Sequence, residues 1–420
     1  MLTGERLPAL ESAAAAEPCR ELTRALGRAP RVLEVMEATI GGTRRHLVAL
    51  ATGLRQSGFT VEVAAPEVRD EAYGDTQFVP ALRARGVPVH IVPMRRAIDP
   101  LHDGQALLRL TALMRRGRYD IVHTHSSKAG LLGRVAARLA GVPVTVHTPH
   151  GFYFLGFPSG VRRALYFSLE WLAARLCDML IAVSDGEQSE ALRHGVAPAS
   201  KITVIRNGID LRVFAQPIDR AAVRWELGIP ERAPVVGTVA RFTRQKAPER
   251  FLEAAAQIAA QRPDAVFVWC GDGELRREVE ECARRLGLLP HLRLLGFRAD
   301  VYRIMSIYDV FVLLSRFEGL AYTPMEAMAL GKPVVGSDIA GIRDVVEHGV
   351  TGFLVPEGDP ALAAQYVLEL LAYPELTERL GLAGRTRVAA SFDEAEMIRR
   401  TGQLYVSLLL SHRVREAGQC

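Results

Sequence analysis

The chain has 420 residues, 49% apolar and 24% charged, more than one hydrophobic core usually fills, so two domains are expected. A net charge of +5 suits anionic small ligands or an anionic surface, and the lack of a dense Lys/Arg block with interleaved aromatics argues against nucleic acid. The five cysteines are scattered without metal-ligand spacing, which fits a reducing compartment.

Residues 1–30 form a polar, Ala-rich leader expected to be poorly ordered, without the basic start and apolar core of a signal peptide. No apolar run approaches the ~20 residues needed to span a bilayer. A cytoplasmic protein is expected, free or attached to the inner face of the cytoplasmic membrane.

From residue 31 short β-branched runs alternate with amphipathic helical patterns. RVLEVM, TVEVAAP, VPVHIVPM, DIVHTH, VPVTVHTPH, DMLIAVS and ITVIRNG make one series, over residues 31–210. A loop near 208–220 precedes a second series over 215–390: PVVGTVAR, AVFVWCGDG, LRLLGF, VFVLLS, KPVVGSD and TGFLVP. This rhythm predicts two α/β halves with parallel sheets and a cleft at the carboxyl ends of their strands. The helical stretch in 391–420 is apolar enough to dock elsewhere. Residues 152–176 mix aromatics, apolar residues and Arg at helical spacing, which fits a bilayer-surface helix or an ordinary helix packed on the sheet.

Several motifs end strands. Gly41-Gly42-Thr43 opens a helix and makes either an anion cradle or a tight turn capped by Thr43. Arg241 and Lys246 follow the first strand of the second half, where they clamp a diphosphate or are merely solvated. Gly296 and Phe297 offer backbone groups for a base slot. No Asp-x-Asp occurs to bring a divalent metal to a nucleotide, so no metal cofactor is expected. Among His123, His125, His147 and His150, the last is best placed to face the cleft, and the spacings match no helical zinc motif. Glu318 and Glu326 stand eight positions apart. Between them Thr323-Pro324 predicts a helix start, with Thr323 as N-cap, Pro324 first in the helix and Glu326 in its first turn. On that reading Thr323→Ala mainly costs stability and Glu326→Ala mainly costs ligand affinity. Gly319, Leu320 and Ala321 then supply backbone donors beside both carboxylates.

Over roughly residues 31–400 the ordered motifs IGGTRRHL, VHTHSSKAGLLGRVAARLAGVPVTVHTPHGF, VSDGEQ, GTVARFTRQKAP and FEGLAYTPMEAMALGKPVVGSD resemble the retaining glycosyltransferases of family 4, also called group 1. The HTHSSKAG and HTPHGF stretches are most similar to members that build bacterial capsular or exopolysaccharides. The resemblance implies two facing Rossmann-like domains (the GT-B fold), an acceptor-side N-terminal domain, a nucleotide-sugar-binding C-terminal domain and a last helix that crosses back. It implies that Arg241 and Lys246 hold the diphosphate of a UDP- or GDP-sugar. Glu318 would lie near the donor sugar, Glu326 on the ribose, Gly42 near the diphosphate from the opposite wall, and His150 near the reacting carbon. The acceptor would be a glycan or lipid-linked hydroxyl, with retention of configuration and without metal. A nucleotide-sugar 2-epimerase of the same architecture and a non-catalytic nucleotide-sugar-binding protein are the alternatives. A dehydrogenase is disfavoured because neither half carries G-x-G-x-x-G after its first strand.

Overall fold

The computed structural model describes residues 20, 22–68, 76–95, 98–157 and 159–417. Seven strands form the first sheet: β1 (Arg31–Met36), β2 (Thr60–Ala65), β3 (Val89–Ile91), β4 (Ile121–His125), β5 (Val144–Thr148), β6 (Met179–Ala182) and β7 (Ile202–Val204). Six form the second: β8 (Val235–Val239), β9 (Val266–Cys270), β10 (Leu292–Leu294), β11 (Val310–Leu313), β12 (Val334–Ser337) and β13 (Gly352–Val355). The orders are β3-β2-β1-β4-β5-β6-β7 and β10-β9-β8-β11-β12-β13, and the pairings are parallel. Both are doubly wound sheets, with strand order reversing beside β1 and beside β8. The two facing Rossmann-like domains expected from the sequence are present.

Strands in such sheets are covered on both faces, so continuous Val/Ile/Leu runs suit them better than alternation. In β11 all of Val310–Leu313 is buried, as is all of β9. Where polar residues interrupt a run, alternation sorts them by face. Glu34 pairs in register with His123, and Met36 with His125. His123 and His125 therefore share one face of β4, while His147 bonds Thr124 on the other.

The helix Glu394–Ala417 leaves the C-terminal domain and joins the N-terminal core. Its Met397, Tyr405, Val406 and Leu409 are buried with Leu50, Leu54 and Phe59. Gly53 makes room for it, since a Cβ there would lie 2.4 Å from Ile398 Cδ1. Residues 1–19 and 21 of the expected leader lie outside the described residues. Residues 22–30 differ from the poorly ordered segment expected: Leu22 is fully buried, and Arg28 grips Asp120 with bonds of 2.6 and 2.8 Å.

Candidate functional site

The carboxyl ends of the two sheets line one cavity of about 2820 Å³. That exceeds the ~300–1,000 Å³ of a single small-molecule pocket and leaves room for two substrates. Gly41, Gly42, His150, Arg241, Lys246, Phe297, Glu318, Gly319, Leu320, Ala321, Thr323 and Glu326 all line it.

On the C-terminal wall, the loop after β8 turns through a 3-10 segment, Arg244–Lys246. This brings Lys246 Nζ 2.5 Å from Glu318 Oε1, in the loop after β11. Gln245 Nε2 donates to Phe317 O at 3.0 Å and to Glu318 Oε2 at 3.4 Å. Arg241 stands in the same loop, half-buried. A cation and a carboxylate are thus fixed where β8 and β11 diverge, the place where a doubly wound sheet opens a crevice.

The helix that carries Glu326 differs from expectation. It spans Tyr322–Ala329, and its N-cap is Ala321, which makes no side-chain cap bond. Thr323 is therefore not the cap, and Pro324 takes the third helical position, where its missing N–H still costs no intrahelical bond. No acidic residue lies in the first turn. Glu326 sits one turn further in, buried, ion-paired through Oε1 with Arg45 of the opposite domain. Its Oε2 is buried without a partner. Ala321 N donates to Gly341 O at 3.2 Å, so this amide is spent within the protein rather than offered to a ligand. Leu320 belongs to the C-terminal core. Gly296 does not line the cavity; its carbonyl accepts from Gly271 N at 2.8 Å. Phe297 does line it and is 68% exposed.

On the N-terminal wall, Gly41 has φ 68° and opens the helix Gly41–Gln56, capped by Ile40 without a side-chain bond. Thr43 Oγ1 donates back to Ala38 O and Ile40 O, at 2.9 and 3.0 Å. Gly42 faces Tyr322, since a Cβ on it would lie 2.7 Å from Tyr322 Cδ2. His150, after β5, has φ 56°, the left-handed region that non-glycine residues rarely occupy. Its Nε2 lies 3.1 Å from His125 Nδ1, and its ring centroid 4.6 Å from that of His46. Burial holds His46 and His125 down to about 3 and His150 well below the usual imidazole range, so these rings are neutral at pH 7.

The walls touch. A Cβ on Gly319 would lie 2.7 Å from both Gly151 N and His150 C. Ser184 Oγ donates to Gly319 O at 3.1 Å, and Gly186 N donates to Asp344 Oδ2 at 2.9 Å.

Three groups of functional weight escaped sequence reasoning. Glu187 accepts from Gly151 N at 2.5 Å and from Val183 N at 2.7 Å, fixing the loop that presents His150. Its signal was available: Ser184-x-x-Glu187 is a capping pattern before a helix. Glu37 caps the helix Ser127–Ala140 by accepting from Ala129 N at 3.0 Å. Glu34 and Tyr405 meet beneath the histidines, Tyr405 donating to Glu34 Oε1 at 3.0 Å. They stand 371 positions apart, and no local pattern joins them.

Among the described residues, facing atoms of His46, His125 and His150, and of Glu34, His123 and His125, come within 4.8 Å of one another. In the second group these atoms already bond one another, Tyr405 and Thr148. We assign no metal to either.

Two facing doubly wound domains that close on one cavity at the carboxyl ends of their strands make up the GT-B fold. HepE of Anabaena, bound to UDP and glucose, superposes with a TM-score of 0.76 at 23% identity, over 89% of this chain and 98% of that one. Sucrose-phosphate synthase of Thermosynechococcus elongatus gives 0.78 at 23% identity, over 91% and 100%. Residues 40–213 match the family described as Glycosyltransferase Family 4, and residues 219–387 match Glycosyl transferases group 1. An Escherichia coli UDP-Gal:alpha-D-GlcNAc-diphosphoundecaprenol alpha-1,3-galactosyltransferase is 39% identical over 63% of this chain and 69% of its own length. The putative glycosyltransferase EpsD of Bacillus subtilis is 29% identical over 84% and 90%. The chain belongs to the group 1, family 4 glycosyltransferases.

Proposed function

We propose that this glycosyltransferase moves a sugar, with retention of configuration, from a nucleotide-diphosphate sugar to a hydroxyl of a lipid-linked or other glycan acceptor in bacterial surface polysaccharide synthesis. The observation that carries the reading is the convergence of Arg241, Lys246, Glu318 and His150 on one cavity from both domains. UDP-sugars are the favoured donors, because HepE holds UDP and glucose and the E. coli relative is named for UDP-Gal. The lipid-linked acceptor follows from that relative's diphosphoundecaprenol substrate.

In this reading Arg241 and Lys246 stabilise the departing diphosphate as the sugar–phosphate bond breaks towards an oxocarbenium-like state. Glu318 holds Lys246 in place beside the donor sugar. Gly42 admits the diphosphate from the N-terminal wall, and His150 meets the sugar. Glu326 Oε2, a buried acceptor without a partner, is suited to a ribose hydroxyl. The acceptor hydroxyl attacks from the face the diphosphate leaves, and the touching walls exclude competing water. The reaction runs without metal, its positive charge supplied by the two side chains.

No helix among the described residues is long and apolar enough to cross a membrane. The helix Val161–Ala173 nevertheless exposes Val161, Leu165, Trp171 and Leu172. Arg162 is exposed beside them and Arg175 stacks on Trp171, a composition that suits contact with an anionic bilayer where a lipid acceptor enters. The expected location is the inner face of the cytoplasmic membrane, and co-sedimentation with anionic liposomes at low salt is the corresponding assay.

The decisive experiment measures nucleotide release from UDP- and GDP-sugars, with and without a sugar-diphospholipid acceptor, with and without EDTA. Acceptor-dependent UDP release unaffected by EDTA supports the proposal, and Arg241→Ala or Lys246→Ala should lower it by roughly 10²-fold or more. Epimerised sugar nucleotide formed without acceptor would replace the proposal with the epimerase reading. Loss of activity in EDTA would overturn its metal-free part.

A further inference from the structure

Beneath the cavity floor, β1, β4 and the returning helix enclose a chain of polar side chains that ends at His150. Glu34, His123 and His125 are buried in the N-terminal domain. Glu34 Oε2 lies 2.7 Å from His125 Nε2, and His125 Nδ1 lies 3.1 Å from His150 Nε2. Glu34 Oε1 accepts from Tyr405 at 3.0 Å. His123 Nδ1 lies 2.6 Å from the Tyr405 hydroxyl, and its Nε2 lies 2.7 Å from Thr148 Oγ1. Since the Tyr405 proton is given to Glu34, His123 donates to Tyr405 from Nδ1 and accepts from Thr148 at Nε2. Each member of the chain has its partners, and His150 is the member that reaches the cavity.

We propose that Glu34, acting through His125, sets which ring nitrogen of His150 carries its proton, making Glu34 and His125 positioning residues for the His150 contact with the donor sugar. The inference rests on the reading that His150 meets that sugar.

The proton count allows two arrangements. With Glu34 ionised, His125 donates from Nε2 to Glu34 and accepts at Nδ1 from His150 Nε2–H, which leaves His150 Nδ1 bare as an acceptor. With Glu34 protonated on Oε2, its O–H donates to His125 Nε2. His125 Nδ1–H then donates to His150 Nε2, and His150 presents Nδ1–H as a donor. The second arrangement holds one proton more, on Glu34, and both rings stay neutral in each. His150 is thus a hydroxyl acceptor or an oxygen donor according to a carboxyl that never touches the substrate.

Burial pushes Glu34 up to about 8, against the opposing Tyr405 hydrogen bond. The donor form of His150 therefore holds at pH 7 and gives way above about pH 8. The other groups facing the chain are His46, His147 and Glu37. Burial first, then the neighbouring rings, hold His123 and His150 low; on His125 burial outweighs the upward pull of Glu37. These rings do not titrate in the interval where Glu34 does.

The test is long-range proton–nitrogen correlation NMR of the full chain labelled with ¹⁵N-histidine, recorded from about pH 7 to about pH 9.5, beside donor KM and kcat over the same range. The wild-type protein is expected to exchange Nδ1–H for Nε2–H at His150 across that interval. Its kcat should change severalfold while donor KM moves less than about twofold. Glu34→Gln, which cannot ionise, should freeze the tautomer and flatten the kcat profile. If that variant does not fold, Tyr405→Phe gives an independent result: removing the donor to Glu34 should shift the tautomer exchange to higher pH. A His150 ring that keeps the same protonated nitrogen in wild type at both ends of the range overturns the proposal, as does an unshifted midpoint in Tyr405→Phe. A protein that turns over no nucleotide sugar, yet shows the tautomer exchange, would refute the transferase reading and leave the linkage standing.

Discussion

Glu187 serves two loops with its two carboxylate oxygens, one holding Val183 N before its own helix and the other holding Gly151 N beside His150. Ser184 completes the turn by accepting from Glu187 N at 3.0 Å while its proton goes to Gly319 O across the cleft. The capping function that the sequence pattern suggests for Thr323 is thus found at Ser184, and the difference is physical. Thr323 enters its helix one residue after the start, so its hydroxyl has no orphan N–H ahead of it to accept from. Ser184→Ala should cost about 1 kcal/mol of stability through the lost cap and also weaken closure, whereas Thr323→Ala should stay within about 0.5 kcal/mol of wild type. Urea unfolding of the two variants measures both, and equal losses would refute the assignment of the caps.

Secondary-structure elements were largely legible in the chain, because a strand buried on both faces has to be a short β-branched run between turn residues. RVLEVM and VFVLLS gave themselves away in this manner, and the last helix was apolar enough to dock, though only the family resemblance said where. What stayed hidden was the packing of one loop on another. HTPHGF and FEGLAY each looked like a strand-end motif, yet His150-Gly151 and Gly319 are pressed backbone to backbone, a fact that depends on where two domains meet. Gly319→Ala tests that seam. Its Cβ would meet Gly151 N and His150 C at 2.7 Å, main-chain atoms that no rotamer change can move aside. The variant should therefore hold its walls apart, with thermal stability close to wild type and turnover reduced by roughly 10²-fold, the cost of misplacing reacting groups by about 1 Å. Small-angle scattering should show a larger radius of gyration, and an unchanged radius with full turnover would contradict the closed seam.

Across the whole molecule, the buried histidines and carboxyls oppose one another, and their balance fixes how stability depends on pH. Burial holds His46, His123, His125, His147 and His150 neutral, below the usual imidazole range. Below about pH 6.5 the unfolded chain takes up protons that these rings refuse, so their share of stability falls as pH falls. Burial raises Glu34 to about 8 and Glu187 and Glu394 to about 7. These three have the opposite sign. They keep their protons in the folded state while the unfolded chain ionises above about pH 4.5, so their share falls as pH rises, until they too ionise between about pH 7 and 8. Each unmatched proton tilts stability by about 1.4 kcal/mol per pH unit. Between about pH 4.5 and 6.5 the rings outnumber the carboxyls and stability climbs with pH; above about 6.5 the carboxyls prevail and it declines until about pH 8, where Lys332, held down to about 8 by burial, begins to act the other way. Calorimetric unfolding at constant ionic strength should accordingly give its highest Tm near pH 6.5. Glu34→Gln, if folded, should lessen the decline on the alkaline side and steepen the climb between about pH 4.5 and 6.5, because the opposing carboxyl is then absent from both intervals. A Tm that goes on rising through pH 8 would mean that the buried carboxyls are ionised in the folded protein, and would remove the proton on which the donor form of His150 depends.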